Sequence, residues 1–427
     1  MSNHIPSGQL KRELGIFGAI MMGLGAIIGT GVFVSIGIAA GVAGSATIIA
    51  IAIAAIVATC NGLNSAQLAA NHPVSGGSYA YGYKYLTPSL GFTAGWMFLI
   101  AKSASAATAA LGFAGYFLNF AGLNNSNLII PLALGAVIIF TIIVLTGIQK
   151  SNLANILIVS ITLFSLIFFI IAGLPIAISQ ANTNLNFSEN SLNSVLNASA
   201  LMFVAYTGYG RIATLGEEVR EPQKTIPKAI IFTLFVTMLL YIAVGTIAIS
   251  IVGANQLSQI TNNSATPLEL VASNFQIPGS SQILAIGAIT AMLGVLLNLI
   301  IGLSRVVLAM ARCHDIPRIF SRLNQSGTTP YWAVIIVGIG IISLVLIGNV
   351  KTTWSFSAFS VLIYYAITNL AALNLSTNER LYPRWIGWIG LFSCLFLAFW
   401  VDRQIWIIGL GLIGVGLIWH NFMKLLK

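Results

Sequence analysis

Stretches apolar and long enough to cross a lipid bilayer recur almost end to end in this chain, with little polar sequence between them. A spanning helix needs about 20 apolar residues. Such windows fall near 15–40, 45–70, 89–120, 128–149, 152–177 and 195–215. A second set follows near 228–253, 282–313, 331–349, 353–376, 383–400 and 403–423. Only 7% of the 427 residues are charged and 57% are hydrophobic, whereas a soluble domain carries roughly a quarter of its residues charged. The chain cannot cover a water-facing surface, so its solvent is lipid. The connectors carry turn chemistry, as in Asn71-His72-Pro73, Thr87-Pro88, Gly327-Thr328-Thr329-Pro330 and Tyr382-Pro383.

Basic residues are distributed unevenly. Lys11, Arg12, Lys84, Lys150, Lys224, Arg312, Arg322 and Lys424 belong with most of the others to one set of loops, and the opposite set holds Lys351 and Arg403. The longer loops of that opposite set, about 178–194 and 254–281, contain no Lys or Arg. Positive residues stay on the cytoplasmic side, so an even number of spans with both termini cytoplasmic is expected, in the plasma membrane. The net charge of +10 therefore reflects topology. No basic patch with interleaved aromatics appears, which excludes a nucleic-acid partner. Cys60, Cys313 and Cys394 lack metal-ligand spacing and read as buried thiols. The polar start Met1–Glu13 has no cleaved-signal pattern.

Two apolar stretches are interrupted by glycine: Gly23 to Phe33, with Gly29-Thr30-Gly31, and Phe203 to Arg211, with Gly208 and Gly210 beside Tyr206 and Tyr209. In lipid a weakened helix is tolerated only where it lines a protected cavity. Paired interruptions in two halves of a chain point to a transporter's binding site. Exposed N–H groups at a helix start bind carboxylates, and free carbonyls at a helix end bind cations. A zwitterionic amino acid supplies both charges. Spans 1–5 and 6–10 can be set side by side, each block opening with a broken helix and holding a long third member. The expected fold class is an all-α membrane protein of 12 transmembrane helices, a 5+5 inverted repeat plus two trailing helices. Residues 1–427 form one transmembrane transport domain, with repeat one near 15–177, repeat two near 195–376 and trailing helices near 383–423.

Four segments in order then carry a resemblance. They are Ile28–Phe33, Pro73-Val74-Ser75-Gly76-Gly77-Ser78-Tyr79, Phe203–Pro227 with Glu217, Glu218, Pro222 and Pro227, and Arg305–Pro317. On these the chain resembles the amino acid–polyamine–organocation (APC) superfamily of transporters, which have the LeuT-type fold. The resemblance implies that backbone at Ile27, Ile28, Thr30 and Gly31 contacts the substrate's α-amino and α-carboxylate groups. It implies that Val204, Ala205, Tyr206 and Gly208 form the opposite wall. Where some members carry a helix-5 lysine in place of sodium, alignment on Asn155 puts Thr162. Where some acid-resistance members carry a carboxylate in the helix-6 break, this chain has Gly210.

Lys102 lies about 13 residues into the third span, at a depth that usually marks a pathway, relay or counter-ion. It is the candidate to replace the missing helix-5 lysine as the titrating or cation-mimicking group. Thr290 and Asn298 on helix 8, together with Thr162, are further candidates for the coupling site. All nine acidic residues fall in or beside loops. An unpaired ammonium in a dry pocket is costly, so a neutral amino acid, small or apolar, is favoured. Backbone carbonyls and tyrosines could still accept a lysine side chain, which leaves a cationic amino-acid or polyamine carrier or exchanger as the alternative. His4, His72, His314 and His420 sit in connectors or at termini and read as solvated or interfacial.

An intramembrane enzyme needs positioned acids, bases or ligands, and an ion channel needs charged rings or filter carbonyls; the spans offer neither. No phosphate loop is present, so ATP does not drive the carrier directly. No cofactor or metal is expected. Proton symport, sodium symport and amino-acid exchange each fit these residues, and oligomeric state stays open.

Overall fold

The computed structural model describes residues 14–425 except 75, 124, 147–151, 186–190, 214–218 and 325–328. Among the described residues all regular structure is helical, apart from one isolated parallel bridge between Leu14 and Val219. Glu217 and Glu218 of the helix-6 exit lie outside the described residues.

The first span is cut into α1 (Ile16–Ile27), α2 (Thr30–Phe33) and α3 (Ser35–Ala43). After it come α4 (Thr47–Asn71) and a short interfacial α5 (Ser78–Tyr85). Gly76 and Gly77, at φ 129° and 50°, supply the left-handed turn into α5, which side chains resist. Then follow α6 (Pro88–Phe120), α7 (Ile129–Leu145) and α8 (Asn152–Asn184). The helix-6 segment is α9 (Leu192–Tyr206) and α10 (Gly210–Ala213), joined by a 3₁₀ turn. The second half continues as α11 (Pro222–Val252), α12 (Ala254–Ser264), α13 (Pro267–Ser273) and α14 (Ser280–Arg312). It closes with α15 (Tyr331–Val345), α16 (Val350–Leu373), α17 (Arg384–Ala398) and α18 (Arg403–Leu425).

Local chemistry sets several starts. Thr87 Oγ1 accepts the Leu90 N–H at 3.3 Å with Pro88 in the first turn. Asn349 caps α16 by accepting from Lys351 and Thr352 at 2.9 and 3.1 Å. The third span is long, as expected: α6 has 33 residues, about 50 Å at ~1.5 Å per residue, and α14 equals it. Two expectations need correction. The fifth helix runs past 177 to Asn184, through Pro175, because Asn184 Nδ2 donates to Ser250 O at 2.8 Å and anchors its end on α11. The outer stretch 254–281 is largely helical, as α12 and α13.

Nine helices among the described residues are long and apolar enough to cross a membrane, and α15 and α17 are shorter apolar helices. Burial orders them from centre to rim. The windows in Val350–Leu373 and Pro88–Phe120 are 83% and 78% buried, whereas those in Ser126–Leu145 and Arg403–Leu425 are 22% buried. Thus α6 and α16, which pack on each other, form the heart of the molecule, while α7 and α18 lie at its edge. A buried amide chain ties α4 to α16: Asn64 Nδ2 donates to Asn369 Oδ1 at 2.7 Å, and Asn369 Nδ2 donates to Asn61 Oδ1 at 2.7 Å.

Candidate substrate site

The main-chain ladder of the first span stops at its glycine cluster. Ile28 N–H still reaches Leu24 O at 2.7 Å, but Ile28 is extended (φ −80°, ψ 103°). The next bonds start from Val32 and Phe33, which both donate to Gly29 O at 3.1 Å. Among the described residues the amides of Gly29, Thr30 and Gly31 have no backbone acceptor. Gly29 is extended at φ −177°, so its need for glycine is spatial: a Cβ there would lie 2.6 Å from Val295 Cγ2. A second discontinuity at Val34 (φ −129°, ψ −47°) separates α2 from α3, which the glycine pattern did not indicate.

The second interruption has a different form. Tyr206 ends α9, Thr207–Tyr209 is a 3₁₀ turn, and α10 resumes at Gly210. The segment is tightened where an unwound stretch was expected. The reason is that its freed carbonyls are already taken. Thr207 Oγ1 donates to Val204 O at 2.8 Å, and Tyr365 Oη donates to Thr207 O at 3.3 Å. Tyr241 Oη, on α11, is shared between Ile27 O at 3.0 Å and Ala205 O at 3.2 Å. One buried phenol thus ties both interrupted helices together. Gly208 permits that approach, since a Cβ there would collide with the carbonyl of Ala26.

The two segments enclose a cavity with about 30 Å³ of water-accessible space. Ile27, Thr30, Gly31, Val204, Ala205 and Gly208 line it, joined by Lys102, Ser105, Thr207, Val295, Leu299 and Trp354. Ile28 and Tyr206, also expected at the substrate, do not line it; Tyr206 Oη instead donates to Ile51 O on α4 at 3.3 Å. Thr30 Oγ1 is buried with no hydrogen-bond partner among the described residues. A second cavity of about 80 Å³ shares Lys102, Thr207, Gly208 and Val295 with the first. It runs past Asn298 and Gly302 to Arg211 and Arg305.

Of the four coupling candidates, the structure brings Lys102 and Asn298 to the second cavity. Lys102 is 8% exposed, and its Nζ donates to Thr207 Oγ1 at 2.9 Å. Thr162 and Thr290 line neither cavity and spend their hydroxyls on their own helices, donating to Ile158 O and Ile286 O. The crossing of α1 and α8 is bridged by Asn155 Nδ2, which donates to Met21 O at 3.1 Å. Among the described residues the charged side chains lining the two cavities are Lys102, Arg211 and Arg305, all cationic. Sequence reasoning missed Tyr241, Thr207 and Trp354. Thr207 was visible as a hydroxyl inside the glycine motif; the other two sit singly in ordinary apolar helices and gave no signal.

With the geometry in hand, comparison with known proteins is direct. The amino acid permease family profile matches residues 18–427. The chain is 36% identical over 419 residues to a Mycobacterium tuberculosis protein named an uncharacterized transporter, covering 98% of this chain and 92% of the relative. It is 30% identical over 344 residues to the branched-chain amino acid permease BcaP of Bacillus subtilis (76% of this chain, 72% of the relative). It is 30% identical over 390 residues to the methylthioribose transporter of the same organism (85% and 83%). This is a membrane transporter and not an enzyme, and the chain belongs to the amino acid permease family of the APC superfamily.

Proposed function

We propose that this permease is a secondary carrier that moves a neutral amino acid, small or apolar, across the plasma membrane by alternating access. One observation carries the reading. Among the described residues, the open amides of Gly29–Gly31 and the unpartnered hydroxyl of Thr30 meet the 3₁₀ turn of helix 6 around a cavity that no carboxylate lines. Such amides suit an α-carboxylate. The carbonyls of Ile27 and Ala205 are placed for the α-ammonium once Tyr241 yields them. A cationic side chain would face Lys102 with no anion beside it among the described residues. Two relatives at 30% identity are named for branched-chain amino acids and methylthioribose, neither of which carries net charge, while three Arabidopsis thaliana relatives at 23–26% identity are named cationic amino acid transporters.

The inner cavity has room for about two waters, so binding requires the helices to part. The second cavity offers the way out, toward the face that holds Arg211, Lys84, Arg312 and Lys424. We place that basic face in the cytoplasm, with both termini. The 12-span, 5+5 plan is supported by element order: each block opens on an interrupted helix, and each has a third member of 33 residues. In this scheme α1, α4, α9 and α11 rock as a bundle against α6, α7, α14 and α15. Lys102 is the coupling group, because it touches both the cavity and the helix-6 turn; proton symport is the mode this favours over sodium symport or exchange.

The test is counterflow of the twenty common amino acids into proteoliposomes, with and without a pH gradient. Saturable uptake of a neutral amino acid, accelerated by substrate on the far side, is expected. Uptake that stays linear in concentration, or selectivity for arginine, lysine or polyamines, overturns the reading.

A further inference from the structure

A second constellation of buried polar groups lies on the basic face, away from both cavities. Its centre is Asp315, in the turn after α14, with 1% of its surface exposed. Tyr79 Oη, from α5, donates to its Oδ2 at 2.9 Å, and Tyr83, one turn on, donates to the same oxygen. Its Oδ1 faces His420 Nδ1 of α18 at 3.3 Å, and His420 is also 1% exposed. The imidazole stacks on Phe92 of α6, ring centres 4.6 Å apart. The neighbouring Trp419 donates its indole N–H to Asp315 O at 3.0 Å. The backbone is bent to make this possible: His314 sits at φ 63°, a conformation that non-glycine residues hold only where surroundings enforce it.

Three segments distant in sequence, α5, the turn after α14 and α18, therefore meet at one carboxylate, and α6 packs on its histidine. Among the described residues, His420 is the basic side chain within 4.0 Å of it. A buried carboxylate without a counter-charge is strongly destabilising, so an imidazolium is what this site calls for. The other titratable groups around it do not supply the charge. Burial pushes the phenols of Tyr79 and Tyr83 well above their ordinary range, so both stay as donors. Cys313, from the same turn, interacts with both phenols and carries no positive charge. From α6 the ring presented is Phe92, and α16 meets α18 about three turns away, where Phe359 lies on Gly409.

We propose that Asp315 and His420 form a proton-binding clasp whose protonation fastens α18 and α5 to the end of α14, making turnover sensitive to pH at the basic face. The mechanical link runs through residues already placed. The loop entering α5 contributes Gly76 to the cavity wall, and α14 contributes Gly302, Arg305 and Val306. Fastening α5 to α14 stiffens that wall, so proton uptake by the clasp slows the parting of the helices. This site is separate from Lys102 and stands whether or not the substrate is a neutral amino acid.

The test compares wild type, His420→Gln and the double variant Asp315→Asn/His420→Gln, all on a Glu269→Gln background that removes another buried titrating group. Thermal stability of the full chain in nanodiscs is read from about pH 5.5 to about 8.5, a range bracketing the ordinary imidazole pKa of about 6.5. Stability of the wild-type clasp should fall as pH rises through the histidine titration. The double variant buries no charge at this site, should fold, and should lose the clasp's share of the profile, keeping the shallower slope that Lys102 and the remaining groups contribute; His420→Gln should be the least stable at every pH. In proteoliposomes held at equal pH on both sides, so that no gradient acts through Lys102, lowering that pH should slow wild-type turnover several-fold at unchanged KM and slow the double variant markedly less. A double variant that keeps the wild-type pH profile in either measurement overturns the proposal, as does a wild type with no such profile. The thermal measurement needs no substrate, so failure of the clasp is distinguishable from failure of the amino-acid reading.

Discussion

At the scale of single residues, the site is governed by which polar atoms already have partners. Among the described residues Thr30 Oγ1 has none, whereas the carbonyls of Ile27 and Ala205 are held by Tyr241. Lys102 Nζ donates to Thr207 Oγ1. A hydrogen bond to a charged group contributes about 1.5–3 kcal/mol, so Thr207→Val should weaken coupling and shift the pH dependence of uptake. Lys102→Met should abolish stimulation by a pH gradient while sparing exchange of substrate across the membrane. Unchanged gradient dependence in Lys102→Met would remove Lys102 from the coupling scheme. Gly208→Ala is expected to cost about 1–3 kcal/mol of stability and to cut uptake at least tenfold, because its methyl meets backbone at Ala26 that cannot swing aside. Thermal shift and initial uptake rates check both effects. The glycine motif was legible from sequence because closely spaced glycines weaken a helix; Tyr241 was not, since nothing local marks where its hydroxyl ends.

At the scale of elements, interruptions and caps matter more than helix propensity. The first span breaks fully at Ile28–Gly29, and the sixth only tightens, though both carry two glycines around a hydroxyl or aromatic residue. The difference arises from neighbours: tyrosines from α11 and α16 satisfy the carbonyls that the 3₁₀ turn releases. The outer helix α13 offers a pH prediction. Glu269 is 5% exposed, and burial pushes its carboxyl up to about 7 against a weaker opposing hydrogen bond from Asn119. Because its folded pKa lies above the unfolded value of 4.5, the folded state holds this proton more tightly. Stability from this group is full below about pH 4.5 and declines as pH rises toward about 7. Glu269→Gln should therefore raise the melting temperature at pH 8 and leave it nearly unchanged at pH 4.5. A variant no more stable than wild type at pH 8 would show that the carboxyl is not desolvated in the membrane-bound protein.

At the scale of the whole molecule, the layering follows from burial: α6 and α16 at the centre, α7 and α18 at the rim. The proposed topology makes a prediction of the same reach. With the cysteines of the chain replaced, Lys351→Cys should react with an impermeant thiol reagent from outside intact cells, and Arg380→Cys only after the inner face is opened. Labelling of both from one side would sink the 12-span arrangement. Hydropathy was enough to find the long apolar helices but not the polar outer helices α12 and α13, because exclusion of charge from lipid acts on each apolar stretch independently. The basic loops carry the proposed orientation for the same reason, and the two glycine clusters marked where the helices are interrupted. Which hydroxyl would occupy those carbonyls, whether Lys102 would face the cavity or the fifth helix, and how His420 and Asp315 would meet are contacts between segments tens to hundreds of residues apart. Only the packed molecule decides those, since a side chain's partner is set by which helices become neighbours and not by the sequence on either side of it.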